Sequence, residues 1–355
     1  MTNTIDKNAM PPLLLEPPAP QQMQLLADDL YWIRFTLPFR LNHINLYAFD
    51  TEDGWLILDC GIDTPVNADQ WAAMLAGPLA GKPICGIIVS HYHADHVGYA
   101  GRLSALTDAP VYMGAVELEQ ARWNLGMSDV QSGDAMASAY ARFGLPAETV
   151  ERTRAKGNYY RQLSGDLPKS VSIIEPGQQF RTRSGLWQAR FDAGHSPGQL
   201  SLVEAGRKLH ICVDFLLPRI SPNISVPLRN IDSDMLGHYL TYLDGLSELD
   251  DDWLIIPGHD WPYYGGGVRA RELISHHVNR LDQLRAAAKK APLSTADAMA
   301  VLFAFDLTDH ELFFAICEAR AHLNNLVARD ELIINKKDGV DYFCTIDKAS
   351  RLVGA

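Results

Sequence analysis

The sequence predicts a mixed α/β protein with a helical insertion and a smaller C-terminal unit of three helices and a hairpin. Two observations carry this expectation. Short β-like runs follow one another from Leu30 and then alternate with stretches of helical periodicity. After Gly265-Gly266-Gly267 the texture changes to amphipathic helix and stays so for most of the remaining chain. At 355 residues the chain suits about two domains of roughly 150 residues. Its 47% hydrophobic content supplies a sizeable core without disulfide staples.

Residues 1–22 read as an extended arm, because Pro11, Pro12, Pro17, Pro18 and Pro20 block helix. A first domain over 23–267 opens with strand-like runs at Leu30–Phe35, Ile44–Phe49 and Trp55–Asp59, with a turn at Glu52-Asp53-Gly54. Helix is expected over 65–77, a doubly buried strand over Ile84–Ser90, helix over 97–107 and strand over Pro110–Met113. The stretch 115–165 reads as a helical insertion, with Trp123, Met127, Met136, Tyr140 and Phe143 at helical spacing. Strands resume at Trp187–Asp192, Gln199–Glu204, Lys208–Val213 and Trp253–Pro257, with helix over 232–248. Residues 268–355 form the second unit, with helices over 268–290, 294–303 and 309–329. The hairpin Glu331–Ile334 and Asp341–Ile346 completes the outline of a winged helix.

Composition narrows the function. The chain carries 43 acidic and 31 basic residues, a net charge of −12, which argues against a surface built to grip nucleic-acid phosphates. Cys60, Cys85, Cys212, Cys317 and Cys344 are scattered and form no CxxC pair, which fits a reducing compartment. The Pro-rich stretch Met10 to Pro20 is no apolar signal core, and no uncharged run approaches the ~18 residues that cross a bilayer. A cytoplasmic protein without membrane association is expected.

The most informative residues are His91-Tyr92-His93-Ala94-Asp95-His96, at the end of the apolar run Ile84–Ser90. Residues two apart in extended chain point the same way, so His91 and His93 can reach one metal. Asp95 and His96, entering a helix, can face a second. A chance HxHxDH match in such a chain is on the order of one in a thousand. Three more ligand types follow expected strands: His195 in Gly194-His195-Ser196-Pro197-Gly198, Asp214 after Ile211-Cys212-Val213, and His259 after Ile256-Pro257-Gly258. Neutral imidazole and carboxylate suit zinc first, with iron or manganese also compatible.

This set resembles the metallo-β-lactamase-fold hydrolases, whose pattern is an HxHxDH loop followed by single His, Asp and His ligands. The upstream Leu58-Asp59-Cys60-Gly61 is similar to that family's first motif. The resemblance implies an αββα sandwich with two divalent metal ions at one edge. It implies that His91, His93 and His195 hold the first metal, that Asp95, His96 and His259 hold the second, and that Asp214 bridges them. Asp59 would orient ligands from outside. A water shared by two cations gives hydroxide near neutral pH, which attacks a carbonyl or phosphoryl centre, with Asp95 orienting it. A bridging Asp is implied for thioesterases, lactonases and nucleases of the fold, and not for zinc β-lactamases. Gln199 stands where many of those thioesterases have His.

Residues 268–355 are weakly similar to the winged-helix tail of lactamase-β-2-like proteins, a group that includes an endoribonuclease. They carry 12 basic and 12 acidic residues, so the net charge lies in residues 1–267. A nucleic-acid wing is usually basic; packing or homodimerisation is the expected role for this tail. His276 and His277 point about 100° apart on a helix and are expected to pack. Cys212 is expected to be a core thiol. Trp123, Tyr140, Trp261, Tyr263 and Tyr264 are candidate pocket walls for a substrate with an acyl or aromatic part. The expected activity is binuclear hydrolysis of a small-molecule thioester or lactone. The alternatives are metal-dependent RNA cleavage and metal or partner binding without hydrolysis.

Overall fold

A computed structural model describes residues 16–303 and 308–346. Residues 1–15 of the Pro-rich arm lie outside the described residues. Seven strands form one sheet in sequence order: β1 (Met23–Ala27), β2 (Leu30–Thr36), β3 (His43–Asp50), β4 (Trp55–Leu58), β5 (Ile84–Val89), β6 (Val111–Gly114) and β7 (Val171–Ile174). The first three pairings are antiparallel and the last three parallel. A second sheet runs β12 (Leu254–Pro257), β11 (Leu209–Val213), β10 (Gln199–Glu204), β9 (Leu186–Asp192) and β8 (Gln179–Arg181).

Helices are α1 (Pro65–Ala76), α2 (Ala94–Val97), α3 (Ala100–Thr107), α4 (Ala115–Gly126), α5 (Asp129–Arg142), α6 (Ala147–Arg154) and α7 (Tyr159–Leu163) in the first part. Then come α8 (Met235–Leu246), α9 (Gly266–Ala288), α10 (Thr295–Leu302) and α11 (Asp309–Ala328), closed by the hairpin β13 (Ile333–Lys337) and β14 (Val340–Cys344). Local chemistry fixes their starts. The Thr64 hydroxyl accepts from Asn67 N with Pro65 at the first turn, and Ser128 and Ser294 each close a capping box.

The layers follow from which face each strand buries. Along β3, Tyr47 and Phe49 join Trp187, Leu200, Leu202 and Ile211 in a core between the two sheets, while Ile44, Leu46 and Ala48 face the other way, onto Trp71 and Met74 of α1 and Leu103 of α3. The outer side of the second sheet is covered by α8 and the C-terminal helices. The order helix, sheet, sheet, helix is therefore the αββα sandwich the sequence implied. β1, β7 and β8 go beyond the sequence expectation. They are short and mostly exposed or half-buried, so no apolar alternation marks them.

The third core does not part at residue 267. Ala137, Tyr140 and Phe143 of the insertion pack with Tyr239 and Leu243 of α8, Leu281 of α9, Ile316 of α11 and Phe343 of β14. Arg320 and Asp341, both fully buried, form an ion pair at 2.9 Å, and Arg142 Nε lies 2.8 Å from the same carboxylate. Insertion and C-terminal elements thus share one interior.

Candidate metal centre

The candidate residues sit where strands of both sheets end. β5 runs into Ser90-His91-Tyr92-His93 and α2, β9 into the turn holding His195, β11 into Asp214 and β12 into His259. The sheets are stitched at this edge: Leu200 N donates to Ser90 O at 2.9 Å, and Asn45 N donates to Gly258 O at 2.7 Å. The backbone is forced here. Val213, Asp59 and Asp260 have positive φ of 48°, 64° and 66°, a conformation costly for a β-branched residue and often held at functional sites. Gly258 has no room for a side chain, since a Cβ would lie 2.2 Å from Asp214 Oδ1.

The structure brings all of the expected ligands together. His91, His93 and His195 form one convergent triad, and Asp95, His96 and His259 another. Asp214 lies between them: its Oδ2 is 3.5 Å from His96 Nε2, 3.4 Å from His195 Nε2 and 3.3 Å from His259 Nε2. Asp95 Oδ2 is 3.4 Å from His259 Nε2.

The outer nitrogens of His91, His96, His195 and His259 are pinned, which turns their inner nitrogens toward the centre, where His91 Nε2 and His93 Nδ1 share a hydrogen bond at 2.9 Å. His96 Nδ1 donates to Asp59 Oδ2 at 2.8 Å, His195 Nδ1 to Asn223 O at 2.9 Å and His259 Nδ1 to His43 O at 2.8 Å. Ser90 Oγ donates to Asp59 Oδ2 and accepts from His91 Nδ1 at 2.9 Å. With Nδ1 protonated in this way, Nε2 is a neutral ligand. The Nε2 atoms of His96 and His195 and Asp214 Oδ1 are buried with no hydrogen-bond partner. Orphaned buried acceptors around two carboxylates fit cations.

The electrostatics agree. Burial holds His91 and His195 below the usual imidazole range and brings His93 down to about 3. His96 and His259 move the other way. Burial opposes their charge, but Asp214 and Asp95 outweigh it, taking His259 up to about 10. The Asp95–Asp214 side therefore demands positive charge, which bound protons supply when metal does not.

Several supports carry no sequence signal of their own. Glu117 of α4 is fully buried and clamps both ligand-bearing loops, accepting from Tyr92 N at 2.9 Å, Ser196 Oγ at 2.7 Å and Gly198 N. Burial raises its carboxyl to about 7, against the pull of those donors. His43 presents its carbonyl to His259 and its Nε2 to Asp260 N at 2.7 Å.

The pocket-wall expectations need correction at two positions. Tyr140 is buried in the shared core of the insertion and C-terminal helices. Tyr263 is fully buried, pairs with Ile255 and donates its hydroxyl to Leu216 O at 3.1 Å, so it offers no phenol to a substrate. Trp123 is half-buried, Trp261 is half-buried under the Arg219 guanidinium, and Tyr264 is 39% exposed. Gln199 is buried, with its Nε2 donating to Cys212 O. Cys212 is a core thiol, as its burial raises it to a range where it stays protonated.

Comparison with known proteins agrees with this geometry. Residues 40–259 match the metallo-beta-lactamase superfamily, and residues 281–346 match the metallo-beta-lactamase-like C-terminal domain. The chain is 23% identical over 337 residues to the probable metallo-hydrolase YqjP of Bacillus subtilis, covering 91% of this chain and 100% of that protein. A beta-lactamase domain protein from Burkholderia ambifaria superposes with a TM-score of 0.85 at 30% identity, covering 95% and 97% of the two chains. A metallo-beta-lactamase family protein from Thermus thermophilus superposes at 0.74, with 23% identity and coverage of 90% and 100%. Among the described residues no helix is long and apolar enough to cross a membrane. The protein belongs to the metallo-beta-lactamase superfamily of metallo-hydrolases and carries its C-terminal domain.

Proposed function

We propose that the protein is a binuclear metal-dependent hydrolase of a small-molecule ester, with a thioester or lactone as substrate. The carrying observation is the position of Asp214, whose Oδ2 lies within 3.5 Å of imidazoles from both triads. His91, His93 and His195 would hold one divalent ion, Asp95, His96 and His259 the other, and Asp214 would bridge. Zinc suits these donors, as do iron and manganese. Two such ions acidify a water and polarise the bond to be cut.

The chain's own residues do the rest. Asp59, His43 and the Asn223 carbonyl hold the imidazoles in one tautomer. Asp95, whose side chain is partly exposed, would orient the attacking water and relay its proton. An acidic chain, with no basic excess in its C-terminal residues, favours a small organic substrate over RNA. The test is turnover of acyl-CoA, glutathione thioester, lactone and single-stranded RNA by protein of measured metal content. Hydrolysis of a thioester or lactone, lost in His93→Ala together with metal, is the expected result. Unchanged turnover in that variant sinks the mechanism, and RNA cleavage without ester cleavage overturns the substrate.

A further inference from the structure

The segment between Leu217 and Val226 leaves β11 beyond Asp214 and has no regular structure. Two C-terminal helices hold it. From α9, the fully buried Arg269 donates from Nε to Leu217 O and from Nη2 to Ile220 O, both at 2.8 Å. From α11, Glu318 Oε2 accepts from Asn223 Nδ2 at 3.1 Å, Phe314 O accepts from the same nitrogen at 3.4 Å, and Cys317 O accepts from Val226 N at 3.4 Å. The other Glu318 oxygen is paired with Arg280 of α9. The residue at the centre of these tethers, Asn223, turns its carbonyl to His195 Nδ1 at 2.9 Å.

We propose that the C-terminal helices position the metal centre: Asn223, anchored by Glu318 with Arg269 and Arg280 behind it, sets the orientation and tautomer of His195. This rests on His195 being a metal ligand. A ligand imidazole works only if its other nitrogen is held, and loss of such an outer partner costs roughly tenfold to a hundredfold in metal affinity. The C-terminal helices then act on the centre through one carbonyl, without touching a metal.

The neighbouring group His277, Glu318 and His322 is close enough to resemble a third metal site, but most of its atoms are already committed, and His277 Nε2 is the one left buried without a hydrogen-bond partner. His322 Nδ1 donates to Glu318 O at 2.8 Å, which leaves its Nε2 to accept from His277 Nδ1 at 3.2 Å. Both Glu318 carboxylate oxygens are occupied by Arg280 and Asn223. The group is the anchor of the tether.

The experiment compares wild type, Asn223→Ala, Glu318→Gln and His195→Ala in the full chain loaded with zinc. It measures the affinity of each bound metal by chelator competition and follows thermal unfolding of the metal-free forms. Asn223→Ala keeps the carbonyl and leaves no charge unpaired, so it stays informative should Glu318→Gln fail to fold. The expected result is a roughly tenfold to hundredfold weakening of the same single metal that His195→Ala loses, with the other metal held as in wild type. Equal weakening of both metals, in step with a lower melting temperature, would reduce the tether to general support and overturn the proposal. So would wild-type affinity in both tether variants while His195→Ala loses one metal. If His195→Ala keeps both metals, the ligand assignment itself falls.

Discussion

Among the described residues two clusters bring buried histidine and carboxylate together, and they are built differently. At the sandwich edge, outer nitrogens are hydrogen-bonded and inner acceptors converge unsatisfied around Asp214. Between α9 and α11, His277 Nδ1 and His322 bond to each other, His322 bonds to the Glu318 carbonyl, and the Glu318 carboxylate pairs with Arg280, leaving His277 Nε2 unpartnered. Residue type and proximity are alike in both. What separates the two is whether the lone pairs left over converge: several do around Asp214, whereas His277 Nε2 stands alone between the helices.

The largest effect expected from breaking this contrast is at the edge. Asp214→Ala removes the acceptor shared by both triads, so metal binding should weaken by more than the roughly hundredfold that follows loss of an outer support. Elemental analysis after dialysis against chelator measures it. Gly258→Ala comes next. Its Cβ would press on Asp214 Oδ1 and on His96 Cε1 at 3.3 Å, and such overpacking costs about 1–3 kcal/mol. Weaker metal retention together with a lower melting temperature is the expected outcome. Glu117→Ala strands the donors of Tyr92, Ser196 and Gly198 at ~1–3 kcal/mol per buried group. It should loosen both ligand loops, whereas Glu117→Gln should retain more stability.

The smaller effects belong to the second cluster. His277→Phe should cost about 1–2 kcal/mol in thermal stability and leave metal content unchanged. Its partner supplies a pH signature. Burial lowers His322 to about 3 from an ordinary imidazole value of 6.5. A depressed pKa means that stability is complete above pH 6.5 and is lost as pH falls toward 3, by up to ~1.4 kcal/mol per pH unit. Denaturant titrations of metal-free protein across that range should show the loss, and a His322→Gln variant should flatten it.

Of the candidate ligands, His91, His93, Asp95 and His96 were legible because their spacing is local. His195, Asp214 and His259 were legible because each follows an expected strand in the order that the family resemblance implies. Asp59 was legible only through the resemblance of Leu58-Asp59-Cys60-Gly61 to that family's first motif. Glu117, His43 and Asn223 were not. Each acts on a ligand loop distant in sequence, from Glu117 to Gly198 or from His43 to Asp260, and nothing in the local pattern marks a carboxylate or carbonyl for that task. Tyr140 misled because an aromatic at helical spacing reports burial, and burial serves a core as readily as a pocket, while Tyr263 misled because nearness to His259 in sequence does not aim a side chain at the site. The tail read correctly as three helices and a hairpin. Its core shared with the insertion was hidden because Phe143, Ile316 and Phe343 come together only through long-range packing.

The central claim, that the edge cluster binds metal and the interhelical cluster does not, is tested most directly by metal-to-protein ratio. Wild type and His277→Phe should each hold two metals per chain, and Asp214→Ala should lose metal under the same dialysis. A wild-type chain with three metals that falls to two in His277→Phe, or an Asp214→Ala variant as fully loaded as wild type, would contradict it.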